Sequence, residues 1–233
     1  MSISENVTKL RKAIDEAARK AGREPGEILL CAATKMNDAE AVREAIRAGV
    51  DCCGENRVQE LVQKRSQDAY RGAPVHFIGH LQTNKVRQVV GHVDLIQSAD
   101  RMKLLEALET EAARQGIVQN ILLEVNIGGQ ESKSGFAPGE VLEVVANFSQ
   151  FSHLKVLGLM AIPPVSTFLG ENSGFFSKMY NLFVDIRQKK YDNVSMEHLS
   201  MGMSGDFADA IACGSTMVRV GTAIFGPRNY HTE

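Results

Sequence analysis

Residues 28–53 read ILLCAATKMNDAEAVREAIRAGVDCC: a short apolar run, a longer mixed polar and apolar stretch, then a second apolar run. The first run, Ile28 to Thr34, has the length and composition of a buried strand; the stretch near 38–48 has a helical pattern; Val50 to Cys53 is a second strand. Two strands joined through a helix form a parallel unit. The alternation continues to the C-terminus. Further strands are predicted at Val75 to Ile78, Val93 to Gln97, Asn120 to Asn126, Leu154 to Met160, Ser195 to Leu199 and Met217 to Val220. Helices are predicted near 56–69, 83–90, 101–115, 138–149, 173–189 and 205–213.

Before the first strand, Val7, Leu10, Ile14, Ala17 and Ala21 recur at helical spacing and Gly22 stops the pattern, so one amphipathic helix precedes the set. Eight strands with seven intervening helices predict an α/β fold, a (β/α)8 TIM-type barrel with an extra N-terminal helix. A doubly wound open sheet is the alternative, and the missing Gly-rich fingerprint after the first strand weighs against it. The chain has 233 residues, roughly one and a half typical domains. With no Pro- or Ser-rich linker in it, one domain over 1–233 is expected, and 162–174, with Pro163 and Pro164, reads as a long loop after strand six.

Hydrophobic residues make up 44% and charged residues 23%, and 26 basic against 28 acidic side chains leave a net charge of -2. That balance excludes a disordered chain and asks for neither nucleic acid nor an anionic membrane. Four cysteines, Cys31, Cys52, Cys53 and Cys213, are too few for a disulfide scaffold. No leader-like segment opens the chain and no run of 18 apolar residues occurs in it. A cytoplasmic protein with reduced thiols is expected, in which the sequons at Asn6, Asn147 and Asn193 are read as chance.

In a parallel barrel the working face lies at the C-terminal strand ends. Alternation along strand one puts Leu29, Cys31, Ala33 and Lys35 on one side. If that side is the interior, Lys35 stands at its top, partly out of water, with an amine able to condense with a carbonyl; a solvated strand end is the other reading. Strand seven runs into HLSMGMSG (198–205) and strand eight into VGTA (220–223), small and hydroxyl-bearing residues that suit an anion, or else two ordinary turns. Arg219 alternates with Met217 and Gly221; buried, it needs a partner, either a neighbouring carboxylate or a ring nitrogen of a bound cofactor. Lysine, arginine and phosphate loops together describe a pyridoxal phosphate pocket.

Long motifs in order then carry a resemblance: Thr34-Lys35, GENRVQE (54–60), HFIGHLQTNK (76–85), SAD (98–100), VNIGGQESKSGF (125–136), GLMAIPP (158–164), LSMGMSGDFADAI (199–211) and GSTMVRVGTAIFGPR (214–228). The chain resembles the YggS/PROSC family of pyridoxal phosphate homeostasis proteins, whose fold is similar to the N-terminal barrel of bacterial alanine racemases. The resemblance implies that Lys35 carries pyridoxal 5'-phosphate as an imine, and that Ser200, Ser204, Gly221 and Thr222 surround the phosphate. It further implies that Arg219 sits by the pyridine nitrogen, with Asn56 and His80 lining the pocket. Gln97 stands where the family has His, Met36 where Thr is usual, and 165–190 matches poorly.

The other candidates have plainer readings. His76 and His80 bracket a strand end and are not expected to converge on one metal; His92, His153 and His231 read as solvated, and His198 as a hydrogen-bonded barrel residue. Glu55 and Glu60 read as a structural network, Lys133 as solvated rather than a ligand contact, and Cys52 and Cys53 as packing residues. A non-catalytic cofactor-binding protein is the expected function, and an amino-acid racemase the alternative. Racemisation needs an acid/base on each face of the cofactor, and the racemases draw on a second domain for which this chain leaves no room; an arginine at the ring nitrogen also weakens the electron sink. An aldolase using the lysine is a third reading. The expected partners are pyridoxal phosphate and apo pyridoxal-phosphate enzymes, on a monomer.

Overall fold

In the computed structural model, which describes residues 2–130, 133–164 and 170–227, eight parallel strands close into a barrel in the order β1 to β8. The strands are β1 (Leu29–Ala33), β2 (Cys52–Glu55), β3 (Val75–Phe77), β4 (Leu95–Ala99), β5 (Gln119–Val125), β6 (Leu154–Ala161), β7 (Val194–Ser200) and β8 (Met217–Val220). Between them run α2 (Ala39–Arg47), α3 (Val58–Ser66), α4 (Met102–Gln115), α5 (Pro138–Ala146), α6 (Ser173–Lys189) and α7 (Phe207–Ala212). The predicted strands and the predicted barrel are present, each within two residues of its expected limits.

Two connections differ from expectation. Residues 83–90 form a 3-10 turn, Thr83–Gln88, instead of an α-helix, and the end of 138–149 separates as a second 3-10 turn, Phe148–Gln150, after α5. In both, only a few apolar side chains need covering, and short 3-10 turns suffice. A one-turn helix, α8 (Thr222–Phe225), follows β8 and was not predicted. Residues 165–169 of the expected loop and His231 lie outside the described residues, among which no helix is long and apolar enough to cross a membrane.

The helix before the barrel, α1 (Ile3–Lys20), begins with a capping box in which Ser2 accepts from the Glu5 backbone and the Glu5 carboxylate accepts from the Ser2 backbone. It buries Val7, Leu10, Ile14 and Ala18; the expected Ala17 is only half-buried. Those side chains lie against Leu30, Val218 and Val220 of β1 and β8, and α1 touches α2, α7 and α8. With α8 a single turn, α1 occupies the outer position where a full-length eighth helix would cover the β8/β1 seam.

The apolar core is layered. An inner set, including Leu29, Cys31, Ala33, Cys52, Ile78, Leu95, Leu122, Met160 and Met217, fills the barrel, and larger outer sets lie between strands and helices. The strands alternate between these layers, which is the interior placement of Leu29, Cys31 and Ala33 expected from β1. The sheet is closed with local register shifts, one of them at Gly158 in β6, where an added Cβ would lie 1.8 Å from the His198 carbonyl oxygen. Only glycine permits that approach, at a φ of +147°.

Candidate functional site

The strand ends bring the predicted residues to one mouth. Lys35 is half-buried two residues beyond the end of β1. Its neighbours on both sides are pinned. Thr34 is fully buried, and its hydroxyl donates to Glu55 Oε1 at 2.6 Å while its backbone N-H bonds to the Gly54 carbonyl. The Met36 N-H donates to Glu60 Oε2 at 2.7 Å, and Met36 holds a left-handed φ of 62°, which few non-glycine residues adopt.

The centre of this clamp is Lys64. Its ammonium donates to the Thr34 carbonyl and to Glu55 Oε1, both at 2.7 Å, and to Glu60 Oε2 at 3.3 Å. Tyr70 adds a third donor to Glu55 Oε1 at 2.9 Å, while Oε2 of the same carboxylate is buried without a hydrogen-bond partner. Glu55 and Glu60 thus form the structural network expected of them. Its outcome is a rigid backbone on either side of Lys35.

Asn56 follows β2, half-buried, with its Oδ1 buried and unpartnered. Gly79 lies against it, since a Cβ there would stand 2.2 Å from the Asn56 carbonyl oxygen. His80, mostly exposed, contacts Asp100 Oδ2 at 3.1 Å and Ser134 Oγ at 3.3 Å through Nδ1. His76 lies with the inward-facing Cys31 and Cys52 and contacts Gln97 instead, so the two histidines part as expected.

Beneath the mouth lies Arg219, 5% exposed. Its guanidinium donates to Ser200 Oγ at 2.7 Å and to the Ala161 carbonyl at 2.9 Å. Ser200 Oγ donates to Gln97 Oε1 at 2.7 Å, and Gln97 Nε2 meets His76 Nδ1 at 2.9 Å. The result is a buried chain from β3 to β8. Burial lowers the Arg219 pKa, with the negative charges of Cys31, Glu124 and Asp206 opposing it. The guanidinium of Arg219 is thus held by a hydroxyl and a backbone carbonyl and not by a neighbouring carboxylate.

Glu124, on β5, is a residue that reading the sequence missed. Desolvation pushes its carboxyl up to about 7, and the charge of Asp100 adds to that, while Arg219 and Arg101 pull it down. Its only signal was its place near the end of a strand, directly after the apolar run Ile121 to Leu123. Ser204 lies half-buried in the turn between β7 and α7, and Gly221 and Thr222 open α8, with Gly221 half-buried and Thr222 exposed. That turn is tied to β8 by the Arg219 N-H to the Gly202 carbonyl at 3.0 Å. Lys133 is not solvated as expected: half-buried, it donates to the Pro163 carbonyl at 3.0 Å and joins the loops after β5 and β6.

The cysteines divide by strand alternation. Cys53 packs outward in the apolar layer, where burial pushes its thiol up to about 12. Cys52 faces inward beside Cys31, so its reading as a packing residue is incomplete. The Cys31 thiol is held down to about 6, first by its hydrogen bond with Cys52 and further by His76 and the charge of Arg219, against the opposing effect of burial. Cys52 is raised by the same contact.

A closed parallel barrel with a lysine at its mouth and a buried arginine beneath defines a class: (β/α)8 barrels that present an amine at the C-terminal strand ends. Residues 4–229 match the family described as the alanine racemase, N-terminal domain. The chain belongs to the family of pyridoxal phosphate homeostasis proteins: it is 39% identical to the protein of that name from Pasteurella multocida over 99% of both chains. The Aquifex aeolicus protein of the same name is 40% identical over 99% of this chain and 100% of its own. Among solved structures, PipY of Synechococcus elongatus with pyridoxal phosphate bound superposes with a TM-score of 0.82 at 31% identity, covering 97% of this chain and 100% of its own.

Proposed function

We propose that this chain is a cytoplasmic, single-domain, monomeric protein that binds pyridoxal 5'-phosphate on Lys35, holds it without turnover and serves pyridoxal phosphate homeostasis. The observation that carries the reading is the clamp on Thr34 and Met36, which presents Lys35 at the mouth above the buried Arg219. The name and bound ligand of the relatives support it.

The residues present fit the cofactor. Asn56 Oδ1 and Ser98 Oγ are buried at strand ends without hydrogen-bond partners, and native proteins rarely leave such atoms unpaired. When bound, pyridoxal phosphate supplies an aldehyde that condenses reversibly with amines and a ring able to accept electrons.

This chain's own residues would divide the work by position. Lys35 provides the amine. Ser204, Gly221 and Thr222, with Ser200 behind them, would hold the phosphate through hydroxyl and backbone N-H groups. Arg219 would face the ring nitrogen, and Asn56 and His80 would line the sides. An arginine can only donate an N-H hydrogen bond there, so a ring nitrogen opposite it would stay unprotonated and the ring would be a weak electron sink. That favours holding over turnover, and with it a non-catalytic carrier over a racemase.

The test is visible absorbance of the purified protein before and after borohydride reduction, with peptide mapping and Lys35→Ala alongside. A yellow wild type whose reduced adduct maps to Lys35, and a colourless variant, are expected. A wild type that stays colourless after incubation with pyridoxal phosphate and desalting overturns the reading. Delivery to partners has its own assay: the loaded protein should reactivate an apo pyridoxal-phosphate enzyme faster than free cofactor at equal concentration, and equal rates would end the carrier proposal.

A further inference from the structure

Below the mouth, on the inner wall of the barrel, three donor side chains from three successive strands converge. Cys31 on β1, Cys52 on β2 and His76 on β3 have ligand atoms all within 4.8 Å of one another, and the residues are 0%, 2% and 7% exposed. Backbone register sets the arrangement, for Cys31 and Cys52 are directly paired across β1 and β2. Among the described residues no other group of three such side chains meets these conditions.

We propose that Cys31, Cys52 and His76 form a binding site for a soft monovalent cation of the copper(I) type, on donors distinct from the residues proposed to hold the cofactor. Two sulfurs and an imidazole, with no carboxylate, select soft over hard ions. The number of donors narrows the choice. A closed structural zinc site takes four protein ligands; here three converge, in an inner layer that also holds Ile78, Leu95, Leu122 and Met217, with Gln97 against His76. Charge narrows it again: Arg219 is paired to Cys31 in the register of β8 and β1, and its guanidinium is buried. Two thiolates and a monovalent ion leave one negative charge to match that guanidinium, whereas a divalent ion leaves it unmatched.

Loading balances simply. Two Cu-S bonds and one Cu-N bond form, the Cys31 and Cys52 thiols release two protons to solvent, and no oxidation state changes. His76 would bind through Nε2 and donate Nδ1-H to the Gln97 carboxamide, the usual outer support of a metal-bound histidine. Gln97 now presents its Nε2 to His76 and its Oε1 to Ser200, so loading requires that carboxamide to turn over.

The test is an anaerobic titration of the reduced, metal-free full-length protein with copper(I) against bicinchoninate. One copper per chain is expected, with thiolate-to-copper absorption in the near ultraviolet. Cys31→Ser and Cys52→Ser should each weaken binding at least about tenfold, and Cys213→Ser, outside the cluster, should not. X-ray absorption of the loaded wild type needs no variant and should show two sulfurs and one nitrogen around copper. Absent binding, binding unchanged in Cys31→Ser, a shell of oxygen and nitrogen only, or tighter binding of zinc would each overturn the proposal. Lys35→Ala should keep its copper, so failure here and failure of the cofactor reading are distinguishable.

Discussion

Lys64 shows how much of the site depends on one side chain that never reaches the mouth. It is 5% exposed and its ammonium joins Glu55, Glu60 and the Thr34 carbonyl. Removing one partner of a buried ion pair strands the other, at a cost of about 3–5 kcal/mol. Lys64→Met should therefore lower Tm by roughly 10 °C, and adding Glu55→Gln should restore part of the loss. A thermal scan showing no change in the single variant would refute the clamp. Glu124 makes a prediction about pH. Its folded value of about 7 lies above the ordinary 4.5, so the native state holds a proton that the unfolded chain has lost. Its contribution is fully present below about pH 4.5 and is lost as pH rises through about 7. Urea unfolding should find wild type and Glu124→Gln similar at about pH 5, with the variant ahead by up to about 3 kcal/mol at about pH 8. Alternation placed Lys35 and Arg219 on one side of their strands, because strand period is local; it hid Lys64 and Glu124, whose roles arise only where separate strands and helices meet.

At the scale of elements, α1 does more than precede the barrel. Its apolar stripe covers the β8/β1 seam, where α8 is only one turn long. Ile14 is fully buried there, and Ile14→Ala should cost about 2–5 kcal/mol through lost burial and the cavity left behind. Urea unfolding followed by circular dichroism checks this; a loss below about 1 kcal/mol would mean that α1 is dispensable to the barrel. The stripe itself was legible, since Val7, Leu10 and Ile14 recur at helical spacing. The slip from Ala17 to Ala18 was not, because alanine on either side of a stripe carries little hydrophobic signal. The 3-10 turn Thr83–Gln88 escaped for a related reason: a pattern of six residues does not distinguish a tight helix from an ordinary one.

For the whole molecule, closure of the barrel makes mouth and core one cooperative unit. A ligand that binds only the native state then stabilises all of it, by about 2.7 kcal/mol at one hundred times its Kd. Pyridoxal phosphate should raise the wild-type Tm and leave that of Lys35→Ala nearly unmoved, and equal shifts in both would dissociate the ligand from the lysine. Sequence by itself determined the number and order of strands and helices, the interior face of β1 and the motif residues of the mouth. The elements and the face of β1 follow from short-range periodicity, and the mouth residues from motifs that resemble those of a family. Tertiary structure alone decided which buried groups meet: Lys64 with Glu55, Ser200 with Arg219, and Cys31 with Cys52 and His76. The reason is geometric, for register and barrel closure bring together side chains tens of residues apart, and no local pattern encodes the distance between them.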